Sequence, residues 1–250
     1  MKKIFAIAAM AAMLIACGEE KPENKPNGGG NNNGGGNEEP EYVDAITIDG
    51  DMSDWAALDA SKVVEATIAT GEVKYAGLSK VKVYADELYI NVYFEANVVD
   101  DPETADVDET QNDFQLDICL NPDNSEETGG YANVWSDAGI DFLLEGSIAS
   151  AGAMLDYDPE CYNWAGEVGA EGWSWDGPVV DAALGLAVGK GTWAGYEVKI
   201  SRDMVPMDFA DKCTLGVGLS MSWNRYGLLP NGTITEEDSA GLAPQLVINL

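Results

Sequence analysis

The sequence predicts an all-β protein, an antiparallel two-sheet β-sandwich that forms a single domain over residues 42–250. Three observations support this prediction. Short runs rich in β-branched and aromatic residues recur along the chain, turns rich in glycine and asparagine separate them, and one run alternates strictly between apolar and polar residues. Many short strands joined by such turns are typical of two packed sheets whose inner faces form the core.

The most distinct strand pair is expected within residues 81–94. This run is dense in valine, isoleucine, tyrosine and phenylalanine, and Asp86 and Glu87 interrupt it at the position of a hairpin turn. Similar but shorter runs predict further strands at residues 140–145, 195–200, 214–221 and 245–250. A single short helix is expected, within residues 56–65.

Residues 113–120 carry the strict alternation. One face of this strand should be apolar (Phe114, Leu116, Ile118 and Leu120), and the other should carry Gln115, Asp117 and Cys119. Side chains of a strand point alternately to the two sides of the sheet. We therefore expect the phenylalanine face to point into the core.

The first 16 residues predict a lipoprotein signal peptide. A basic start, Met1-Lys2-Lys3, precedes thirteen apolar residues, a run too short for a comfortable bilayer crossing but suited to secretion. The run ends in Leu-Ile-Ala before Cys17, which resembles a bacterial lipobox. We therefore expect Cys17 to be lipidated, with palmitate or similar acyl chains holding the protein on a membrane.

Residues 17–41 predict a flexible tether. After Cys17, this segment has no aliphatic or aromatic side chain and is rich in glycine, asparagine and glutamate. A Gly-rich chain of this length spans roughly 25 to 30 Å. The acidic residues directly after Cys17 resemble the export signal of surface lipoproteins in Bacteroidetes-type bacteria. We expect a lipid-anchored outer-membrane protein facing the cell exterior, with the periplasmic face as the alternative.

Charge and composition narrow the function. The chain has 44 acidic and 13 basic residues, a net charge of −31, and no histidine. So negative a surface repels nucleic acid and other polyanions. The ligands that remain compatible with this charge are neutral molecules and cations. Without histidine there is no Ser-His or Cys-His pair and no ordinary zinc site, and neither a P-loop nor a G-x-S-x-G motif occurs. We expect no catalysis, although a glycosidase needs only two carboxylates.

Four stretches of the chain resemble, in the same order, the family 9 carbohydrate-binding modules. They are Ile46-Thr-Ile-Asp-Gly-Asp-Met-Ser-Asp-Trp55, residues 83–92, residues 113–122 ending in Asn-Pro, and residues 195–205. The resemblance spans nearly all of residues 44–250. It implies an antiparallel β-sandwich that binds sugars and catalyses nothing. The same fold occurs in haem-binding relatives, but haem ligation normally uses histidine or a placed methionine.

Sugar binding calls for an aromatic face that stacks on C–H groups, with amides, carboxylates or arginine at its rim. Six residues in polar segments fit that composition and are the predicted ligand site: Tyr162, Trp164, Trp223, Asn224, Arg225 and Trp135. Trp173 and Trp175 lie two residues apart, on one face of an expected strand, and are predicted to be core residues. Trp193 is expected to be core or edge packing.

The acidic run over residues 100–109 is a candidate calcium site. Its predicted ligands are Asp100, Asp101, Asp106 and Asp108, since hard cations take carboxylate oxygens. A solvated loop is the preferred alternative for so many like charges. Asp49, Asp51 and Asp54 also have a spacing similar to that of a calcium loop. Because the rest of such a loop is missing, we expect a turn instead, with Trp55 packing inward.

The three cysteines other than Cys17 leave two possibilities. Cys119, Cys161 and Cys213 could form one disulfide with one buried thiol, or remain three buried thiols. The sequence thus predicts a tethered lipoprotein that holds a neutral oligosaccharide or polysaccharide near a companion transporter or hydrolase. The alternatives are an adhesin-like or structural surface protein, and a glycoside-processing enzyme that uses paired carboxylates.

Overall fold

A computed structural model describes residues 42–98, 113–131, 133–137 and 139–250. From Val43 to Leu250 the chain forms one compact unit. It consists almost entirely of two antiparallel sheets, so the prediction of an all-β two-sheet sandwich is confirmed.

Thirteen strands make up the described part of the two sheets. In chain order they are β1 (Val63–Thr67), β2 (Leu78–Ala85), β3 (Tyr89–Ala96), β4 (Phe114–Asn121), β5 (Phe142–Ser150), β6 (Ala153–Met154), β7 (Glu160–Trp164), β8 (Trp175–Val180), β9 (Ala187–Thr192), β10 (Gly195–Ser201), β11 (Lys212–Met221), β12 (Asn224–Leu229) and β13 (Leu246–Asn249). The five-stranded sheet has the order β1-β2-β3-β10-β9. The eight-stranded sheet has the order β12-β11-β4-β5-β7-β8, with β13 on β11 and β6 on β5.

Within the described ranges helix is confined to short segments, and the helix predicted within residues 56–65 is confirmed only in part: the α-helix ends at Ala57 and a 3₁₀ turn follows at Ala60–Lys62, but the segment from Val63 is a strand. The α-helix α1 spans Ser53–Ala57, and 3₁₀ turns span Ala60–Lys62, Ala182–Leu184 and Arg202–Met204. The segment expected to be helical contains two β-branched residues, Val63 and Val64, which begin β1 instead. Their pairing with β2 outweighs the helix propensity of the alanines before them.

The strand expectations for β2 to β4 are confirmed. Asp86 caps the β2–β3 turn, because its Oδ1 accepts the backbone N–H groups of Leu88 and Tyr89 at 2.9 Å. The alternation in β4 also holds. Phe114, Leu116, Ile118 and Leu120 join the main core between the sheets. Asp117 and Cys119 lie on the opposite, outer face of the eight-stranded sheet.

A second small core covers part of that outer face. Trp135 is its largest member and is fully buried, as are Cys119 and Leu143, and Tyr131 is nearly so. The Trp135 ring lies on Gly216 of β11, where a Cβ atom would come within 2.3 Å of it. Its indole N–H donates to the Pro230 carbonyl at 3.1 Å. The expectation that Trp135 stays accessible to a ligand is therefore wrong, since its ring and its N–H are both used inside the protein.

The outer face of the five-stranded sheet is closed by the segment before β1. Trp55 packs on Tyr93 there, with ring centroids 5.6 Å apart, as predicted. Glu197 of β10 lies buried beneath the turn: its Oε1 accepts the N–H groups of Asp49 and Gly50 at 2.9 and 2.8 Å. Its Oε2 accepts the Trp55 indole N–H at 3.4 Å. The turn prediction for this acidic segment is confirmed, and one buried carboxylate holds it.

The thiols of Cys119, Cys161 and Cys213 are all free and buried, so of the two possibilities the structure has three buried thiols. Trp193 packs at the edge of the main core, edge-on to Phe114 at 4.9 Å, as expected. Within the described ranges, no helix is both long and apolar enough to pass through a bilayer. Cys17 and residues 1–41 lie outside those ranges, so the signal peptide, lipidation and tether stay predictions.

Candidate functional site

A groove of about 270 Å³ opens on the outer face of the eight-stranded sheet, beside the second core. We call it the outer groove. Its polar lining is Gln115, Asp117, Asn133, Glu145, Ser220 and Arg225, and its aromatic lining is Tyr75, Tyr131, Trp173 and Trp223. Aromatic faces and a few convergent polar groups are the ordinary makeup of a ligand site.

Strand register places the charged groups side by side. Asp117 of β4 lies directly opposite Glu145 of β5 on one side and Gly218 of β11 on the other. Arg225 of β12 lies opposite Ser220 of the same sheet. Its side chain runs back over Gly218, where a Cβ atom would come within 2.0 Å of the Arg225 Nη1. Glycine at 218 therefore gives the guanidinium the space to reach Asp117.

The ion pair between Arg225 and Asp117 forms the floor of the outer groove. Arg225 Nη1 and Asp117 Oδ2 are 3.3 Å apart, with the side chains only 14% and 4% exposed. The guanidinium also donates through Nη2 to the Tyr131 hydroxyl at 2.9 Å. Arg225 Nη1 has Asp117 Oδ2 as its partner in the ion pair, whereas Asp117 Oδ1 makes no hydrogen bond to any described residue. Buried polar atoms are normally paired, so Asp117 Oδ1 is the one atom of the pair without the usual partner.

Burial also changes the acidity of the groove. It raises the pKa of Asp117 to about 6, even though Arg225 and the Ser220 hydroxyl both act to lower it. It raises the pKa of Glu145 to about 7, with the charge of Asp117 adding to the increase. Glu145 makes no hydrogen bond or ion pair within the described ranges. Near neutral pH it can therefore either accept or donate a hydrogen bond to a ligand.

Trp223 lies at the tip of the β11–β12 hairpin and is 81% exposed. Its φ is +70° and that of Ser222 is +48°, which is the geometry of a type I′ turn. Asn-Gly is the usual sequence there, because left-handed backbone is costly for a large side chain. Strain of this kind concentrates at functional sites. The hairpin thus places a large aromatic side chain in solvent beside the groove. A glycine at this position would avoid the free-energy cost of the left-handed backbone.

The opposite aromatic, Trp173, is 60% exposed and belongs to a cluster of rings. Tyr131 meets Trp173 and Trp175 edge-on, at centroid distances of 5.9 and 5.6 Å. Trp164 also belongs to the cluster, with its ring centroid 5.2 Å from that of Trp175. The prediction that Trp173 is a core residue is wrong. β8 begins only at Trp175, and Gly172, with φ +92°, turns the chain outward before it.

The structure unites two of the six predicted ligand residues, Trp223 and Arg225, in the outer groove. The other four do not line it. Trp135 is buried, and Asn224 is exposed with its side-chain amide on the Ser222 carbonyl at 3.3 Å. Tyr162 donates its hydroxyl to Glu160. Trp164 is half-buried, its indole N–H donating to the Glu167 carbonyl at 3.0 Å. The segment expected to be a polar loop here is strand β7.

Sequence reasoning missed Asp117, Glu145, Tyr131 and Trp173. One signal for Asp117 was present, because it is a charged residue on the polar side of a strictly alternating strand. Glu145 gave none, since only strand register brings it beside Asp117. Tyr131 gave none either, since it contacts Arg225 from a loop that is distant in sequence. Tyr131 has a φ of +68° in the loop after Gly129 and Gly130.

The predicted calcium ligands Asp100, Asp101, Asp106 and Asp108 lie outside the described residues. In the part that the structure does describe, no three acidic, cysteine or histidine side chains come together as a metal cluster. No known family model matches this chain, and no curated protein matches it in sequence.

Proposed function

We propose that this chain is a non-catalytic carbohydrate-binding protein that holds a neutral oligosaccharide or polysaccharide in the outer groove. One observation carries the proposal: a strained, solvent-exposed tryptophan lines the same groove as a buried ion pair in which Asp117 Oδ1 has no hydrogen-bond partner among the described residues. Trp223 and Trp173 would stack on the C–H face of a sugar ring, and Asp117, Glu145 and Arg225 would bind its hydroxyls.

The charges of the outer groove favour a neutral ligand. Two carboxylates, Asp117 and Glu145, lie beside one guanidinium, so an acidic sugar would meet net repulsion. The volume of about 270 Å³ lies below the usual range of roughly 300 to 1,000 Å³ for ligand pockets. The groove therefore suits one ring or one end of a glycan, with the remainder in solvent.

The position of the protein is part of the proposal. A lipid on Cys17 and a tether over residues 17–41 would hold the domain at the outer membrane, facing the exterior. There it would deliver glycan to a companion transporter or hydrolase. The lipobox-like sequence, the apolar composition of residues 4–16 and the resemblance to family 9 carbohydrate-binding modules support this assignment.

Replacement of Trp223 tests the proposal most sharply. Trp223→Gly removes the aromatic face and relieves the left-handed backbone, so the fold should keep or gain stability while glycan affinity falls at least about tenfold. Tryptophan fluorescence of the full chain, titrated with neutral and acidic oligosaccharides, measures the affinity, and urea unfolding measures the stability. Leu184→Ala, an exposed apolar residue on a distant 3₁₀ turn, is the matched control and should change neither.

Two results would contradict the proposal. One is a folded protein that responds to no neutral glycan, which would favour an adhesin-like or structural role. The other is a Trp223→Gly variant that binds the responding glycan as tightly as the wild type. In that case the glycan lies elsewhere on the surface.

A glycoside-processing activity is the second candidate, favoured by the opposition of Asp117 and Glu145 across β4 and β5. Directly opposed residues have Cβ atoms about 4.5 to 5.5 Å apart, and retaining glycosidases place two carboxyl groups about 5 to 5.5 Å apart. Binding alone is preferred, because Asp117 is already held in an ion pair by Arg225 and is not free to act as a nucleophile. New reducing ends released from a bound glycan, and lost in Glu145→Gln, would reverse that preference.

A further inference from the structure

A second group of oxygen atoms lies away from the outer groove, between the end of β4 and the start of β5. Asp123 is in the loop after β4, and Asp141 directly precedes β5. The Thr128 hydroxyl oxygen lies between them, 3.2 and 3.1 Å from Asp123 Oδ1 and Oδ2 and 3.4 Å from the Ser125 carbonyl oxygen. It also faces the carboxyl group of Asp141.

This group has more acceptors than protons. A threonine hydroxyl carries one hydrogen, so it can satisfy only one of the oxygens around it. Asp141 is buried, and its Oδ2 has no hydrogen-bond partner among the described residues. Neither Asp123 nor Asp141 forms an ion pair with a described lysine or arginine. A buried carboxylate with no ion-pair partner, next to a second one, is costly in its charged form unless a positive charge lies between them.

The surrounding backbone is arranged to bring the oxygens together. Gly139 packs so closely on the loop that a Cβ atom there would lie 2.2 Å from the Ser125 carbonyl oxygen. Asn121, itself buried, donates to the same carbonyl oxygen at 3.0 Å.

We propose that Asp123, Thr128 and Asp141, together with the Ser125 carbonyl, bind a calcium ion. Carboxylate, hydroxyl and carbonyl oxygens in an irregular arrangement suit the flexible six- to eight-fold coordination of Ca²⁺ and not the strict octahedron of Mg²⁺. With only two carboxylates, the site belongs with weak calcium sites, whose dissociation constants are roughly 10⁻⁴ to 10⁻³ M. The ion would hold together the loop that leads to Tyr131. This proposal does not depend on which ligand the outer groove binds.

Calcium-dependent melting of the full chain tests this proposal. After chelator treatment, Ca²⁺ at about a hundred times its dissociation constant should raise the Tm by roughly 5 to 10 °C. Mg²⁺ at the same ionic strength should do so far less. Asp141→Asn should abolish the calcium-dependent shift and weaken calcium affinity, measured by titration calorimetry, at least about tenfold. Asp123→Asn, which keeps the turn hydrogen bonds, should do the same if Asp141→Asn fails to fold.

Two control substitutions locate the ion. Glu127→Gln removes an exposed charge from the same loop and should leave the calcium shift intact. Asp106→Asn removes a charge from the acidic run over residues 100–109, which lies outside the described residues, and should also leave the calcium shift intact. The proposal is overturned by the absence of a calcium shift in the wild type, by an equal response to Mg²⁺, or by a shift that survives both Asp141→Asn and Asp123→Asn.

Discussion

The outer faces of the two sheets carry similar residues, a tryptophan near a buried charged group, in opposite roles. On the five-stranded sheet, Trp55 lies against Glu197, and both are buried. The Glu197 carboxylate accepts two backbone N–H groups and the indole N–H, so both of its oxygens are used. On the eight-stranded sheet, Trp223 stands in solvent near the buried pair of Arg225 and Asp117, in which Asp117 Oδ1 has no hydrogen-bond partner among the described residues.

The difference between the two pairs lies in the exposure of the ring and in the partners of the charged group, and not in residue type. A tryptophan beside a charged group is structural where the ring is buried and both carboxylate oxygens have partners, as at Trp55 and Glu197. Where buried polar atoms lack partners and the aromatic ring is exposed, the same combination can bind a ligand. Three substitutions test this distinction between the two faces.

Trp55→Ala should have the largest effect. Removing this buried ring leaves a cavity against Tyr93 and costs roughly 3 to 5 kcal/mol in the free energy of unfolding. Glycan affinity, measured below the new melting temperature, should not change, because the outer groove is on the other sheet. Urea unfolding measures the loss. A Trp55→Ala protein of wild-type stability would mean that the closed face does not hold the fold.

Asp117→Asn should have an intermediate effect. It leaves Arg225 buried without its counter-charge, which costs about 2 to 4 kcal/mol, and it should also weaken glycan binding. The double variant Asp117→Leu with Arg225→Met should recover most of the stability, because a buried ion pair often stabilises no more than apolar residues of similar size. It should not recover binding. Recovery of both would show that the pair has no role in the outer groove.

The smallest expected effect is the pH dependence of Glu145. Its folded-state pKa of about 7 lies above the ordinary value of about 4.3, so the folded protein holds the extra proton between these pH values. The resulting stabilisation is complete below about pH 4 and is lost as the pH rises through 7. Asp117, with a pKa of about 6, acts in the same direction.

Glu145→Gln should therefore make the fall in unfolding free energy between pH 4.5 and 8 shallower than in the wild type. The exposed Glu171→Gln has the same charge change and should leave the slope unchanged. Urea midpoints at several pH values give both slopes. Equal slopes for wild type and Glu145→Gln would mean that Glu145 is solvated like an ordinary surface acid.

The sequence alone was sufficient for the fold class and for the most regular strands. The alternation of residues 113–120, the hairpin around Asp86 and the inward packing of Trp55 were all predicted, because each depends on a local pattern of side chains. Among the ligand residues it identified only Trp223 and Arg225, which are close in sequence. Composition could not separate them from Trp135, which has similar polar neighbours but lies on Gly216 inside the protein.

Local pattern thus determined which segments are strands and which face of β4 is apolar, since apolar side chains must leave water. Tertiary structure decided the site. Asp117, Glu145 and Arg225 are far apart in sequence and meet only through the register of β4, β5, β11 and β12. The same strand pairing decides which tryptophan rings pack against a glycine in the sheet and which remain exposed to solvent. Whether a side chain is buried, and whether its polar atoms have hydrogen-bond partners, depends on the residues around it. Those residues are brought together by strand pairing between segments that are far apart in the chain.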